Sequence, residues 1–449
     1  ANTTGAANTS VGYNSLGANT TANNNTAVGA YALEDNTTGT SNTAVGAGSL
    51  KNNTTAAQNT AVGIDTLEAN TTGAANTALG FEALHANSTA ANNTGLGWRA
   101  LYANTTGTGN TAVGVQALDA VSTGNYNTGM GVQAGDKLTG SRNTLIGHEA
   151  GYGIAASDDC VAVGKNTLQG TSDADDNTAI GYAAMQDCTT GYSNTAVGMT
   201  ALSDITTGYQ NVAVGQQAGL SLTTAVRNTF IGEDAGYSHT TGADNTYVGK
   251  NAGSSSTTGA SNVFVGKDAG DGTTTGGQNI CIGQNANNSV ATASNAIVIG
   301  HDIAHASDYF TFGKASNIVY NNFTANNNWT YNSDARLKTD VQDSTLGLSF
   351  INSLRPVTYK WKKSQDLDSS DPDMASVYDP NKNRMDSDTI KYGFIAQEIK
   401  TAIDDAGASN FPAWDCPNGI QGVSKEAMVI PLVKAVQELS AEIKKLKGE

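Results

Sequence analysis

A pentapeptide that recurs at every seventeenth position constrains this chain more than any other feature. It first appears at residues 8–12 as N-T-S-V-G and for the eighteenth time at residues 296–300. Only one step departs from this period, the 16 residues between Gly131 and Gly147. The residue before the glycine is apolar in all eighteen copies, and the first residue is Asn in sixteen. Such a strict period predicts a structure in which each coil stacks on the next.

The usual form of the pentapeptide, N-T-A-V-G, indicates a short strand. Its Thr and its Val share one face because side chains alternate along a strand, and we predict that this face points inward. The other face, with Asn, a small residue and Gly, is predicted to let another chain approach closely. Eight residues after the Asn stands a Leu in the first seven copies and then often a Gly, and turns such as residues 36–39 separate the copies.

The predicted fold is therefore mainly β, an elongated parallel β-roll or solenoid of eighteen coils over residues 1–300. Stacked Asn side chains are expected to form hydrogen bonds from coil to coil. At about 4.8 Å per coil the rod would be about 85 Å long. Three inward side chains per coil are few for a solenoid that stands alone, so we expect several chains to associate side by side.

Composition excludes a single large core and two classes of partner. Aromatic residues make up 6% of the 449 residues and charged residues 14%. Of the 24 basic residues 15 lie in residues 333–449, which leaves an acidic repeat region. Nucleic acid and membrane insertion are therefore not expected, and no apolar stretch approaches the length of a membrane span. The four cysteines share no framework spacing and are predicted to be free thiols: Cys160, Cys188, Cys281 and Cys416.

The V-G rhythm of residues 1–300 resembles the left-handed β-roll of the head domains of trimeric autotransporter adhesins; residues 211–215, N-V-A-V-G, illustrate the likeness. This resemblance implies a trimeric roll. An ice-binding solenoid is an alternative for a threonine-rich repeat. It is disfavoured here because ice binders present Thr outward, whereas the predicted coil turns Thr inward with the apolar residue.

After residue 300 the period stops, and the composition changes again near residue 333. Residues 309–331 alternate polar and apolar side chains, and residues 301–332 are therefore predicted to form a β-rich connector. Residues 333–338 read S-D-A-R-L-K, followed by three further blocks at residues 354–361, 392–398 and 430–439. These four blocks, in this order, closely resemble the peptidase S74 family. Its members are C-terminal intramolecular chaperones of bacteriophage tail fibres, tailspikes and neck appendages.

The resemblance implies that residues 333–449 form a small α+β chaperone domain that trimerises, templates folding of the fibre and then cuts itself off. By the family's pattern the cut falls between Asn332 and Ser333. Ser333 would be the nucleophile and Lys338 its base, with Asp334 and Arg336 in support. One departure is Lys425, where relatives often carry Tyr.

The residues themselves permit this chemistry. A serine hydroxyl needs a neighbouring base, and a lysine whose pKa is lowered by burial or by a nearby cation can serve. The alternative is that Ser333 only caps a helix and the basic residues are solvated. Any enzymatic activity predicted here is a single self-cleavage, with no external substrate.

The C-terminal segment predicts a self-associating helix. Six apolar residues are spaced by three and four, as in the a/d seam of a coiled coil: Val429, Leu432, Val436, Leu439, Ile443 and Leu446. Pro431 fits the first turn of such a helix. The spacing by itself indicates association, and the trimer comes from the family resemblance.

Aromatic side chains that stand one period apart are expected to stack between coils. Phe81 with Trp98 and His85 with Tyr102 form a candidate receptor patch for a sugar, or alternatively fill a gap between chains. Three further aromatic residues occupy the small-residue position of successive coils and are predicted to lie at a chain interface: Phe230, Tyr247 and Phe264.

Acidic residues cluster where two coils carry Asp in register, and oxygen ligands at this density suit Ca²⁺: Asp158, Asp159, Asp173, Asp175 and Asp176. The alternative is an acidic solvated turn, since Arg142 is in register with Asp159. No other cofactor is predicted.

Together these features predict a homotrimeric tail fibre or related appendage of a bacteriophage virion, assembled in the host cytoplasm. Its partners would be a bacterial surface glycan or protein receptor and other virion proteins, reached through a region expected before residue 1. The alternatives are a bacterial trimeric surface adhesin and the non-catalytic shaft of a polysaccharide-depolymerising tailspike. A depolymerase needs a substantial catalytic domain, and the repeat admits no insertion of that size.

Overall fold

A computed structural model describes residues 2–170, 173–315, 317–323, 330–331, 339–371, 378, 380–381, 387–408, 410–416 and 421–448. The chain divides into two compact units, residues 1–332 and residues 333–449. Among the described residues, no helix is long and apolar enough to cross a membrane.

The first unit is a parallel β-solenoid, as the repeat predicts. Each pentapeptide forms one short strand that pairs in parallel with its neighbours, so that Thr26 lies beside Thr43 and Val28 beside Val45. Strands β1 to β17 are Thr9–Val11, Thr26–Val28, Thr43–Val45, Thr60–Val62, Thr77–Leu79, Thr94–Leu96, Thr111–Val113, Thr128–Met130, Thr144–Ile146, Val161–Val163, Thr178–Ile180, Thr195–Val197, Val212–Val214, Thr229–Ile231, Thr246–Val248, Val263–Val265 and Ile280–Ile282.

The predicted facing of these strands is wrong. In β3, Ala44 is fully buried, while Thr43 and Val45 flank it on the outer side with intermediate exposure. The same pattern recurs along the rod, and the apolar residue of β5, Leu79, is 51% exposed. The small-residue face therefore lines the interior, and the face of Thr and Val points outward.

Two columns of Asn side chains hold the coils together, which confirms the predicted amide ladder. The first is the Asn of the pentapeptide: Asn25 Oδ1 accepts the backbone N–H of Asn42 at 2.9 Å, and Asn42 Nδ2 donates to the carbonyl of Ala56. In the second column, which contains Asn from Asn19 to Asn104, Asn53 Nδ2 donates to Asn36 Oδ1 at 2.8 Å. These bonds satisfy buried polar groups that would otherwise destabilise so narrow an interior.

The glycine that follows each strand is required by the backbone. Gly215, for example, has φ of +140°, and a Cβ on it would lie 2.4 Å from the carbonyl oxygen of Gly232 in the next coil. Both the left-handed conformation and the close stacking of successive backbones exclude a side chain. This explains why the glycine is present in every copy.

At each level the strand position and the Leu column together have room for one large side chain. Where the strand carries Ala, as in Ala196, a buried Leu such as Leu202 fills the space. Where the strand carries Phe230, the two nearest positions of the Leu column hold Gly219 and Gly236 instead, and a Cβ on either glycine would come within 2.9 Å of the phenyl ring.

Three aromatic residues follow this packing rule, and their predicted interface position is wrong. Phe230, Tyr247 and Phe264 are fully buried within their own chain. Their rings stack with centroid separations of 4.9 and 4.7 Å. Glycine in the Leu column was the sequence signal that these side chains point inward.

A buried histidine lies beside this aromatic stack, in the continuation of the second column, in which Asn ends at Asn104. His239 Nε2 lies 3.0 Å from the carbonyl oxygen of Gly242, and its ring packs edge-on against Phe230 at 5.4 Å. Burial lowers the pKa of His239 because the charged imidazolium loses its hydration. The folded shaft therefore holds this side chain in its neutral form near neutral pH.

We expect the shaft to lose stability as the pH falls below about 6.5, the pKa of an unfolded histidine. The folded pKa is depressed, so the stabilisation is complete above that pH and declines below it. His239→Asn introduces the neutral residue found at Asn104 in the same column and should reduce this decline. Melting temperatures at pH 7.5 and 5.5 measure it, and an equal decline in both proteins would contradict the assignment.

The single shorter step between repeats is a shortened turn. Val121 and Leu138 are both buried, one period apart in the same column. Asn110 Nδ2 reaches the carbonyl of Gly124 across 14 residues, whereas Asn127 Nδ2 reaches that of Gly140 across 13. The missing residue thus lies between Leu138 and Gly140, and the strands keep their register.

The solenoid extends beyond residue 300. Strand β18 (Asn287–Asn288) pairs with β20 (Ala304–His305), and β19 (Ile297–His301) pairs in parallel with β21 (Tyr309–Lys314). Thr311 continues the buried column, while Phe310 and Phe312 continue the outward ones. Antiparallel strands β22 (Asn317–Asn322) and β23 (Thr330–Tyr331) follow.

The second unit is a small α+β domain. Its elements are α1 (Leu348–Ser353), β24 (Val357–Tyr359), β25 (Lys391–Gly393), α2 (Ala396–Asp405), β26 (Trp414–Asp415), β27 (Gly422–Val423) and α3 (Val429–Lys447), with 3-10 turns at Ser364–Asp366 and Glu426–Met428. The core is formed by Leu346, Phe350, Ile399, Ile403 and Met428. The α+β prediction is confirmed.

Candidate functional sites

The residues predicted to carry self-cleavage lie outside the described part of the chain. They are Asn332, Ser333, Asp334, Arg336 and Lys338. The division between the two compact units nevertheless falls between Asn332 and Ser333, where the cut is predicted. The described residues of the second unit show how the rest of this domain is held.

A bidentate ion pair joins two of the sequence blocks that define the domain. Arg355, just after α1, directs its guanidinium at the carboxylate of Glu398 in the first turn of α2; Nε lies 3.0 Å from Oε2, and a terminal nitrogen bonds Oε1. The hydrogen bond from Arg355 lowers the pKa of Glu398. This pairing fixes the start of α2 relative to the strand that follows Arg355.

Two further contacts connect α3 and its preceding turn to the core. Glu438 Oε2 accepts the backbone N–H of Leu348 at 2.7 Å and so binds the N-terminus of α1. Lys425, the departure from the family pattern, donates from Nζ to the carbonyl of Tyr392 at 2.7 Å. It lines an open groove of about 580 Å³ beside β24 and β25.

The last helix presents its apolar seam to solvent. All six predicted seam residues lie in α3, and their exposure ranges from 41% for Leu439 to 87% for Leu446. Pro431 is in the first turn and is buried with Ala435 against the rest of the unit. One buried side and a second, exposed apolar seam are typical of a helix that packs against another helix.

A known family matches the first part of this unit. Residues 333–408 match the peptidase S74 family, described as chaperone of endosialidase. The match begins at Ser333, the first residue of the second compact unit. Searches of curated proteins and of solved structures found no match.

The S74 match covers the Arg355–Glu398 ion pair and ends before α3. The resemblance of the last block, residues 430–439, therefore remains an interpretation of the sequence, although the predicted helix is present. The repeat region lies entirely outside the S74 match, and its fold is known from the structure alone.

Three of the four predicted receptor residues cluster around an arginine that the sequence analysis missed. The rings of His85 and Tyr102 stack with centroids 5.3 Å apart. The Arg99 guanidinium lies 3.9 Å from the centre of the Tyr102 ring and 5.6 Å from that of Trp98. Phe81 occupies the Trp98 position one coil earlier, and both are 43% exposed.

Carboxylates surround this aromatic cluster. Arg99 forms ion pairs with Glu82 at 3.8 Å and Asp119 at 3.7 Å. Burial raises the pKa of Asp119, although Arg99 acts in the opposite direction. The Arg at position 99 could have been found from the sequence, because it stands one full period after Glu82.

The structure does not gather the acidic residues proposed for calcium. Asp158 Oδ1 accepts the N–H of Ser141, and Asp175 Oδ1 accepts that of Asp158. Arg142 pairs with Asp159 and lowers the pKa of its carboxyl group. Within the described ranges no group of three or more His, Cys, Asp or Glu could hold a metal ion. The calcium site, which also includes Asp173 and Asp176, stays a prediction.

The cysteines of the described chain are free, as predicted. Burial raises the pKa of Cys160 and Cys281 to about 12 and that of Cys188 to about 11. Cys160 replaces an Asn of the first column, and its Sγ donates to the carbonyl of Ala174 at 3.0 Å. These three buried thiols are part of the packed interior and are poor nucleophiles.

Proposed function

We propose that this chain is a homotrimeric bacteriophage fibre subunit whose C-terminal domain drives assembly and then releases itself. The observation that carries the proposal is the S74 match beginning at Ser333, at the division between the two units. A long β-solenoid followed by an intramolecular chaperone is the architecture that a fibre requires. Residues 1–332 would be the mature shaft.

In the proposed cleavage, Ser333 Oγ attacks the carbonyl carbon of Asn332. Neutral Lys338 takes the hydroxyl proton and returns it to the departing Ser333 nitrogen, so that an ester replaces the amide. Water then hydrolyses the ester, which leaves a carboxylate on Asn332 and the free hydroxyl on Ser333. The N-to-O acyl shift needs no further reactant, and the hydrolysis of the ester needs only water.

The test is denaturing gel electrophoresis and intact mass of freshly expressed chain. We expect two fragments, the smaller beginning at Ser333. A single uncut species would mean that the domain stays as a permanent cap, and the catalytic roles of Ser333 and Lys338 would be withdrawn.

Assembly into a trimer is supported by the exposed seam of α3. Leaving Val436 at 63% and Ile443 at 50% exposure is unfavourable in a monomer, whereas copies of one helix bury each other's seam. The hydrogen bond from Leu348 to Glu438 holds α3 to the domain while the opposite side associates.

Host attachment is the biological role we propose for the shaft, through the cluster around Arg99. Aromatic faces beside charged and planar polar groups suit a surface glycan. Trp98→Ala with Tyr102→Ala should lower binding of the fibre to susceptible cells at least about tenfold. Tyr192→Ala with Tyr209→Ala, another stacked pair on this shaft, is the matched control. Equal loss in both variants would contradict the assignment.

A further inference from the structure

The outward face of the solenoid strands forms two continuous columns. The first contains Thr in most coils and becomes apolar toward the end of the shaft, at Val263, Ile280, Ile297 and Phe310. The second column is the residue before each glycine. It is apolar in every coil, yet nine members are 36% to 59% exposed: Val11, Leu79, Met130, Ile146, Ile180, Val214, Ile231, Ile282 and Ile299.

Folding of a single chain does not explain why the exposed second column is apolar in every coil. The eighteen copies act as an internal comparison, and the buried strand position accepts residues as different as Ala112, Gly129 and Phe230. The exposed second column, by contrast, accepts only Val, Leu, Ile and Met in the pentapeptides. An exposed column that is more strictly apolar than the interior indicates a surface that is covered in the assembled protein.

The size of this face fits a stable interface. Eighteen strands at about 4.8 Å, each three residues wide at about 3.3 Å per residue, give roughly 85 by 10 Å. That is about 850 Å² on one chain, close to the roughly 800 Å² that each partner contributes to a stable protein interface. A small ligand cannot cover a surface of this length.

We propose that the outward strand face, defined by the second column and the Thr column beside it, packs against the same face of other copies of this chain. This rests on the proposed homotrimer and names the surface that joins its shafts. A second copy is the occupant because it repeats apolar groups at the same spacing over the same length. Aligned in parallel, the copies match coil for coil.

The outward Thr column removes the earlier reason for disfavouring an ice-binding surface, because Thr does not point inward. The face still does not suit ice. Its second column mixes side chains of different length, such as Val113, Met130 and Ile146, so it is not a regular flat lattice. Side chains of unequal length can interdigitate with another copy.

Thiol protection tests the proposal directly. Val214→Cys places a thiol on the face, and Gln210→Cys places one on an exposed turn of the same coil. Both are made with Cys416→Ser, because the other three thiols are buried with raised pKa values. In the native assembly, Val214→Cys should react with a maleimide about 100-fold more slowly than Gln210→Cys.

A second variant set tests association. Val62→Glu, Val214→Glu and Ile282→Glu place charges on the face in three coils. The matched control places the same charges on exposed turns of the same coils: Gln58→Glu, Gln210→Glu and Gln278→Glu. Only the first set should lower the melting temperature of the assembly, by about 10 °C or more, because buried like charges repel. Light scattering of uncut control chain should give three times 45.9 kDa.

Equal rates of maleimide reaction at the two positions would overturn the proposal. A face variant with the same melting temperature as its matched control would also overturn it. A single-chain mass with thermal hysteresis in freezing water would assign the face to ice instead. Protection of the Val214→Cys thiol from the maleimide is measured both on cut chain and on chain that also carries Ser333→Ala. Failure of self-cleavage therefore leaves this test intact.

Discussion

The Ser333→Ala chain is expected to remain at full length, while the parent is cut nearly completely. Alanine has no hydroxyl to attack the carbonyl of Asn332, and uncatalysed peptide hydrolysis is slower by many orders of magnitude, so the cut fraction should fall below about 1%. Gel electrophoresis with intact mass measures it. Ser370→Ala, at an exposed serine of the same unit, is the control and should be cut like the parent.

Two substitutions at Lys338 separate a base from a positive charge. Lys338→Met removes both properties, whereas Lys338→Arg keeps the charge but cannot release its proton near neutral pH. Both should block cleavage if Lys338 is the base. Cleavage by the arginine variant would reduce Lys338 to an electrostatic role, and fragments from Ser333→Ala would refute the nucleophile.

Phe230→Ala is expected to destabilise the shaft by about 3–5 kcal/mol, the usual cost of removing a buried phenyl ring. The ring is fully buried, stacks on Tyr247 and occupies the space left by Gly219 and Gly236. Alanine would leave a cavity that two glycines cannot fill. Urea unfolding of the shaft measures the loss, and Tyr192→Ala, at an exposed ring, should cost less than about 1 kcal/mol.

A compensating substitution tests the packing rule itself. Adding Gly219→Leu to Phe230→Ala recreates the combination of Leu202 with Ala213, one coil further along the shaft. We expect the double variant to recover at least about half of the lost stability. Gly219→Leu alone should be destabilising because its side chain meets the Phe230 ring. If that single variant is as stable as the parent, the rule is wrong.

The sequence by itself determined the architecture of the shaft. A strict repeat period with glycine at one place can only stack coil on coil, and the Asn columns followed from identical side chains meeting at each step. It also predicted the apolar helix seam and the start of the second compact unit at Ser333. These features depend on spacing along the chain, which a repeat displays directly.

Tertiary structure alone decided which face of each strand is the interior. Alternation shows that Thr43 and Val45 share a face, but it does not say whether that face points in or out. Apolarity suggested inward, yet the interior is too narrow for both Val45 and Leu50, so Ala44 lies inside. The cluster around Arg99 was likewise decided by coil geometry, which brings its guanidinium near the rings of both Trp98 and Tyr102.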